Sequence, residues 1–288
     1  MRRNRNIDEQ QVVELYKTES IRAIAEKMDT YDEKIRQILI KNGIKRKTKF
    51  KGFKKVNDTF FDEIDNEEKA YILGFFIADG CIRLEKDKNG EITHSRLAFS
   101  NSIDDEEIIN RIHTLICPEN KILHVHNVND GANRKPQLIL QWTSKHMKNT
   151  LVEKYNIVPR KTYDGDFKLP DGVIPKELFR HFVRGFIDGD GSFTSGEIKF
   201  VFNSKPFAEQ IINFFKGEFE KNKELVEEFS YTFKEIEGKT VNYYRLRLPT
   251  GKNRKKLYEN ILYKDATIFL SHKRYGLYKK RIRRKQIC

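Results

Sequence analysis

The sequence predicts an α+β chain in which a small helical domain precedes two repeats of αββαββα order. Two apolar runs, Tyr71-Ile72-Leu73-Gly74-Phe75-Phe76-Ile77-Ala78-Asp79-Gly80 and Phe182-Val183-Arg184-Gly185-Phe186-Ile187-Asp188-Gly189-Asp190-Gly191, share one plan: an internal Gly, then a closing Asp-Gly. Behind each run comes the same succession of alternating strand patterns and amphipathic helices. The first fifty residues, by contrast, carry helical periodicity and no strand alternation.

Residues 1–50 read as three short helices. The first spans Asp8 to Thr18; Ser20 is placed to N-cap the second, in which Ile21, Ile24 and Ala25 share a face. A turn at Asp29-Thr30-Tyr31 leads to the third, Asp32 to Asn42, with Ile35, Ile38 and Leu39 inward and Asn42-Gly43 as the stop. The stretch SIRAIAEKMDTYDEKIRQILIKNGI resembles a helix-turn-helix whose third helix turns Lys34, Arg36 and Lys41 outward, and a plain packing domain has the same shape. Residues 51–66 follow as a basic linker, suited to phosphate contact or to a solvated hinge.

The first repeat is expected over 67–165. Its motif helix starts at Glu67; a hairpin joins Cys81–Leu84 to Arg96–Asn101; a helix runs from Asp105 to Ile116; a second hairpin joins Lys121–Val128 to Gln137–Thr143; and Lys145 to Tyr155 closes the unit. The second repeat, 166–288, copies that order after Leu169-Pro170-Asp171-Gly172. Its helix Lys176–Gly189 leads to strands Ser192–Thr194 and Glu197–Asn203, helix Pro206–Phe219, hairpin Ser230–Ile236 with Val241–Leu248, and helix Lys252–Leu262. From Lys273 the tail mixes aromatics with basic residues and reads as a helix lying on phosphates or as a solvated end.

At 288 residues the chain can hold two or three compact units. A formal net charge of +14 with 34% charged residues points to a polyanion, and nucleic acid is the simplest one. No apolar run approaches the roughly 20 residues a bilayer crossing needs. The N-terminal MRRNRNIDEQQ is charged with no apolar region after it, so a secretion signal is not expected, and the expected location is the cytoplasm or nucleoid. Cys81, Cys117 and Cys288 have no metal-like spacing.

Gly inside an apolar helix costs about 1 kcal/mol relative to Ala, so Gly74 and Gly185 at matching places imply close packing of two helices. Side-by-side packing brings Asp79 and Asp190 together. Two carboxylates at one point repel unless a cation or proton joins them, and a hard divalent ion, Mg2+ above all, fits one or two carboxylates with water and phosphate oxygens. A calcium loop starting at Asp188 fails, because Phe193 stands where Gly is needed and Lys199 where a bidentate Glu is needed.

ILGFFIADG and VRGFIDGDG resemble the two motif copies of single-chain LAGLIDADG homing endonucleases. The likeness spans about 67–270, with one departure: Ile77 stands in the first copy where Asp188 stands in the second. The resemblance implies a monomer whose two sheets form a DNA-binding saddle, and a site-specific endonuclease that hydrolyses phosphodiester bonds in both strands of a long asymmetric target with Mg2+, leaving short 3′ overhangs. It implies that Asp79 and Asp190 are catalytic and metal-binding, with the backbone at Ala78 left unassigned. By the same resemblance Lys145 and Lys252, which open the helices after each repeat's fourth strand, serve as basic catalytic residues, and Asn101 and Asn203 hold water at the rim. It also implies an intron, intein or free-standing phage or organellar setting.

Base reading is expected from sheet faces. Alternation sets Arg245 and Arg247 opposite Leu246 and Leu248, and His124 and His126 opposite Val125. With Arg83, Arg96, Gln141 and Lys199 these form the expected double-stranded DNA contacts, joined by Lys34 and Arg36 of the small domain; Arg suits guanine and Gln adenine. An ordinary solvated sheet face reads the same way. His124-x-His126 lacks a third metal ligand nearby. Two other classes stay open: a DNA-binding regulator that no longer cleaves, against which both acids are intact, and a splicing cofactor (maturase) that binds intron RNA.

Overall fold

The computed structural model describes residues 7–16, 19, 21–44, 55–86, 88–125, 135–193, 196–223, 229–238 and 242–276. The chain divides into two compact units, Met1–Phe53 and Lys54–Cys288.

The first unit packs α1 (Glu9–Leu15), α2 (Ile21–Lys27) and α3 (Asp32–Lys41) around Val12, Ile24, Ala25, Ile35, Ile38 and Leu39. Asp8 caps α1 by accepting the N–H groups of Gln10 and Gln11. The Ser20 cap expected for α2 lies outside the described residues.

The second unit holds both repeats in one core. The first repeat runs α4 (Glu67–Asp79), β1 (Gly80–Lys86), β2 (Ile92–Ser102), a 3-10 turn (Ile103–Asp105), α5 (Glu106–Ile116), β3 (Leu123–Val125), β4 (Gln137–Trp142) and α6 (Lys145–Glu153), followed by a 3-10 turn at Lys161–Tyr163. The second runs α7 (Lys176–Asp190), β5 (Ser192–Phe193), β6 (Glu197–Phe202), α8 (Lys205–Lys221), β7 (Thr232–Ile236), β8 (Tyr243–Pro249), α9 (Lys252–Tyr258), a π turn (Glu259–Tyr263) and α10 (Ser271–Gly276). The expected α+β order holds in both.

Each repeat builds a four-stranded antiparallel sheet with its second and fourth strands in the centre, β1-β2-β4-β3 and β5-β6-β8-β7. Period-two burial seals one face of each: Leu138, Leu140 and Trp142 in β4, and Ile198, Phe200 and Phe202 in β6, all turn to the core. The segment expected as the end of a basic linker instead supplies Phe60, Phe61 and Ile64 to that core, and the Tyr155 hydroxyl donates to the Phe61 carbonyl. Burying two adjacent phenylalanines outweighs the solvation of the lysines before them.

Register corrects one expected facing. His124 pairs with Leu138 and Val125 with Gln137, so Val125 shares the outer face with Gln137 and Gln141, while His124 lies on the Leu138 side of the edge strand. Alternation within β3 was read correctly, but three residues of strand do not say which set faces out. His126 lies outside the described residues.

Candidate active site

The site is built on the contact between α4 and α7. A Cβ added at Gly74 would overlap the Phe182 carbonyl oxygen and lie 2.9 Å from its carbon; one added at Gly185 would overlap the Tyr71 carbonyl oxygen and lie 2.8 Å from its carbon. Each glycine thus receives a backbone carbonyl of the other helix, in a reciprocal pair that only a missing side chain permits. Around it α4 is buried from Ala70 to Ile77 and α7 from His181 to Asp188.

Parallel packing at that closeness brings both C-terminal ends together. Asp79 Oδ2 would lie 3.1 Å from a Cβ on Gly189, the residue before Asp190. Burial pushes the Asp79 carboxyl above its usual value, and Asp105 adds to the push, against Asn101, Lys273 and Lys161. Asp190 is raised to about 6, by the packed groups beneath it first and by the charge of Asp79 second, with Lys161 and Lys273 opposing. The residue is nonetheless exposed, so water answers part of that pressure.

Two lysines sit on the helix ends. Lys161 Nζ donates to the Gly80 carbonyl at 2.6 Å and lies 3.4 Å from that of Ala78; Lys273 Nζ donates to the Gly191 carbonyl at 2.6 Å and lies 3.3 Å from that of Gly189. Each therefore meets the negative end of its helix dipole as well as the acids. Burial lowers the Lys161 ammonium pKa, against the raising influence of Asp190, Cys81 and Asp79.

The halves differ beyond this pair. Asn101, buried, donates Nδ2 to Asp79 at 2.9 Å and to Asp105 at 3.2 Å, while its Oδ1 is buried without a partner. His272 Nε2 stands 3.8 Å from Asp105. Beside Asp190 lies a cavity of about 300 Å³, lined by Lys161, Asn203, Phe186, Phe202 and Phe207, and beside Asp79 one of about 260 Å³, lined by Cys81, Ile157, Arg160 and Lys161.

Of the residues expected at the site, Asp79, Asp190, Asn101 and Asn203 are brought together. Lys145 opens α6 with an exposed side chain; Lys252 opens α9, and its side chain lies outside those described. The lysines at the acids are Lys161 and Lys273, which sequence reasoning missed. A signal existed: Lys161-Thr162-Tyr163 and Lys273-Arg274-Tyr275 repeat a Lys-x-Tyr after the last long helix of each repeat.

Arg96 lies on the outer face of the first sheet, held by Glu85 at 2.6 Å and by Gln141 Oε1 at 3.1 Å; Arg83 pairs with it across the strands and is exposed. On the outer face of the second sheet, Glu197 binds Lys199 at 3.0 Å and lies 3.6 Å from Arg247. Arg245, between Val201 and Lys234 in the ladder, has no ion pair among the described residues. In the small unit Lys34 is exposed, and Arg36 is held by Glu33 at 3.0 Å on its own helix.

Among the described residues no three acids, histidines or cysteines gather as a metal centre. A hard cation nonetheless suits the donors present. Asp79 and Asp190 repel one another, the unpartnered Asn101 amide oxygen lies beside the first of them, and these oxygens are of the type a hard divalent ion takes together with water and phosphate.

Residues 177–262 match the family model for a LAGLIDADG-like domain. No match is found among curated proteins. Of solved structures, a double lysine mutant of I-SmaMI is 10% identical, covering 74% of this chain and 90% of its own at a TM-score of 0.45. A variant of I-DmoI with its target DNA and Mg is 13% identical, covering 73% and 99% at 0.43. The homing endonuclease I-WcaI bound to its DNA recognition sequence is 12% identical, covering 75% and 87% at 0.43.

Proposed function

Since the second repeat is a LAGLIDADG-like domain, we propose that the chain is a site-specific DNA endonuclease that cuts both strands of a long asymmetric target with Mg2+. The observation that carries the reading is the reciprocal seating of Gly74 and Gly185, which sets Asp79 and Asp190 at one point. A bare structural contact would not require an acid at both helix ends, where each opposes the dipole.

Asp79 and Asp190 would hold the divalent ion, which when bound supplies Lewis acidity and neutralises charge on the scissile phosphates. Asn101 orients Asp79 and favours its ionised form through a hydrogen bond. Lys161 and Lys273 keep fixed positive charge beside the acids, where negative charge builds on a phosphate under attack. Arg83, exposed, and Arg245, without an ion pair among the described residues, are the outer-face side chains readiest to reach guanine edges. Arg96 and Arg247 enter any such contact by exchanging acid partners.

One observation favours a second reading. The two ammoniums balance the two carboxylates without metal, which a DNA-binding regulator that does not cut would also need.

Selection of cleaved molecules from a randomised duplex library in Mg2+ separates the two and recovers the target. On that target, Asp79→Asn or Asp190→Asn should slow cleavage by about a hundredfold or more while binding persists. A double Asn variant that cuts at near the parental rate would sink the proposal, and binding with no cleavage by the parent would establish the regulator.

A further inference from the structure

Behind the two acids lies a buried polar network that the proposed reaction leaves unused. Asp188, the inner acid of the second motif, is 1% exposed. Its Oδ1 accepts the Tyr263 hydroxyl at 2.9 Å; its Oδ2 accepts the Tyr71 hydroxyl at 2.9 Å and the Leu270 N–H at 2.8 Å. One turn earlier Arg184, 0% exposed, donates to the carbonyls of Ile268 and Leu262 at 3.0 and 2.8 Å and to Glu67 at 2.6 Å. Glu67 in turn accepts the Thr267 N–H at 2.8 Å.

Apart from the two bonds that tie α7 to Tyr71 and Glu67 of α4, these bonds converge on one strap, residues 262–270, which leads from the end of the π turn to α10. Beyond Tyr263 it has no helix or strand of its own, and Asp265 takes a left-handed φ of 58°. Leu270 is its last residue: its N–H goes to Asp188, and its carbonyl accepts the N–H groups of Lys273 and Arg274 at 3.0 and 3.1 Å, which starts α10. Lys273, in the first turn of α10, then reaches back to the Gly191 carbonyl at the end of α7. The bonds close a ring that begins and ends on the same helix. In the first repeat the places of Asp188 and Arg184 are taken by Ile77 and Leu73, so Lys161 stands on its turn without such a ring.

We propose that Asp188 is a positioning residue that pins Leu270 and thereby sets Lys273 over the C-terminal end of α7. The half of the site served by Lys273 depends on it, and the half served by Lys161 does not. Its catalytic consequence rests on the endonuclease reading; the placement of Lys273 does not.

The test uses the full chain. Competitive acetylation with acetic anhydride, read by mass spectrometry, reports how firmly each lysine amine is held. Asp188→Ile, which installs the first repeat's residue and leaves the Leu270 N–H unpaired, should raise labelling of Lys273 about tenfold and leave Lys161 unchanged. Asp188→Asn should restore protection, because its oxygen still accepts from Leu270 while its amide turns to a tyrosine oxygen. Should the Ile variant fail to fold, Tyr263→Phe decides, with a smaller rise confined to Lys273. Equal labelling of both lysines, or no change at Lys273, overturns the proposal.

Strand-resolved single-turnover cleavage adds the catalytic half. Asp188→Ile should slow one strand by up to about a hundredfold with DNA affinity kept. That strand should be the one slowed by Lys273→Met, and the double variant should be no slower than Lys273→Met alone. Equal slowing of both strands, or additive losses, counts against it. If the parent does not cut, the endonuclease reading fails, and the labelling result still decides the placement of Lys273.

Discussion

Asp190 shows how a single carboxyl links stability to pH. Its folded pKa of about 6 lies above the ordinary carboxylate value of about 3.9, so the fold favours the protonated form. Its contribution is most favourable below the unfolded value and is lost as pH rises to about 6; above that the penalty is complete. Asp190→Asn should therefore stabilise the fold at pH 7 in EDTA, by about 1 kcal/mol or less given the exposure of the group, and so raise Tm there, with the gain gone near pH 4. Thermal melts across that range check it, and a gain that grows toward low pH would contradict the assigned cause. His181 behaves differently. Burial, then Arg184, hold its pKa down to about 4, so it stays neutral at pH 7 and spares the network a second cation beside Arg184.

At the scale of elements, the reciprocal glycines set the tightest demand. Gly74→Ala or Gly185→Ala places a methyl inside a carbonyl of the facing helix, so α4 and α7 must separate. A loss of about 3 kcal/mol or more in urea denaturation is expected, against the small gain Ala would bring to an isolated helix. This packing was legible in the sequence because a glycine inside an apolar helix is costly and here occurs twice in register. The succession of helices and strands was legible for the same reason, through repetition; the pairing of β2 with β4 and of β6 with β8 was not read.

Irregular segments were not legible. Lys161 and Lys273 follow straps with no periodicity; each is held by the carbonyls of a helix end, and the strap before Lys273 also by bonds to Glu67, Arg184 and Asp188, none of which a local pattern encodes. The outward set of β3 was unreadable too, because three residues at a sheet edge carry too little alternation to fix a face.

For the whole molecule, the basic excess sets the character of binding. With a net charge of +14, log affinity for duplex DNA should fall by about 0.9 per neutralised phosphate for each unit of log salt. A flat dependence would remove DNA as the partner. Because the chain divides at Phe53, a chain starting at Lys54 should keep a cooperative melt and metal-dependent cutting while its footprint shortens. An unchanged footprint would make the small unit something other than a DNA contact.

The network joining α4 to α7 has a consequence for assembly. Glu67 and Tyr71 come from the first repeat; Arg184, His181 and Asp188 come from the second. Two copies of the second repeat facing each other would bury arginine and aspartate without these partners, at about 3–5 kcal/mol for each broken pair. Two copies of the first would leave Glu67 and Tyr71 unanswered. Co-expressed as separate chains, residues 54–165 and 166–288 should thus find each other and refuse themselves, eluting from a sizing column only as the mixed pair: the duplicated halves have become sexes of one interface, no longer interchangeable.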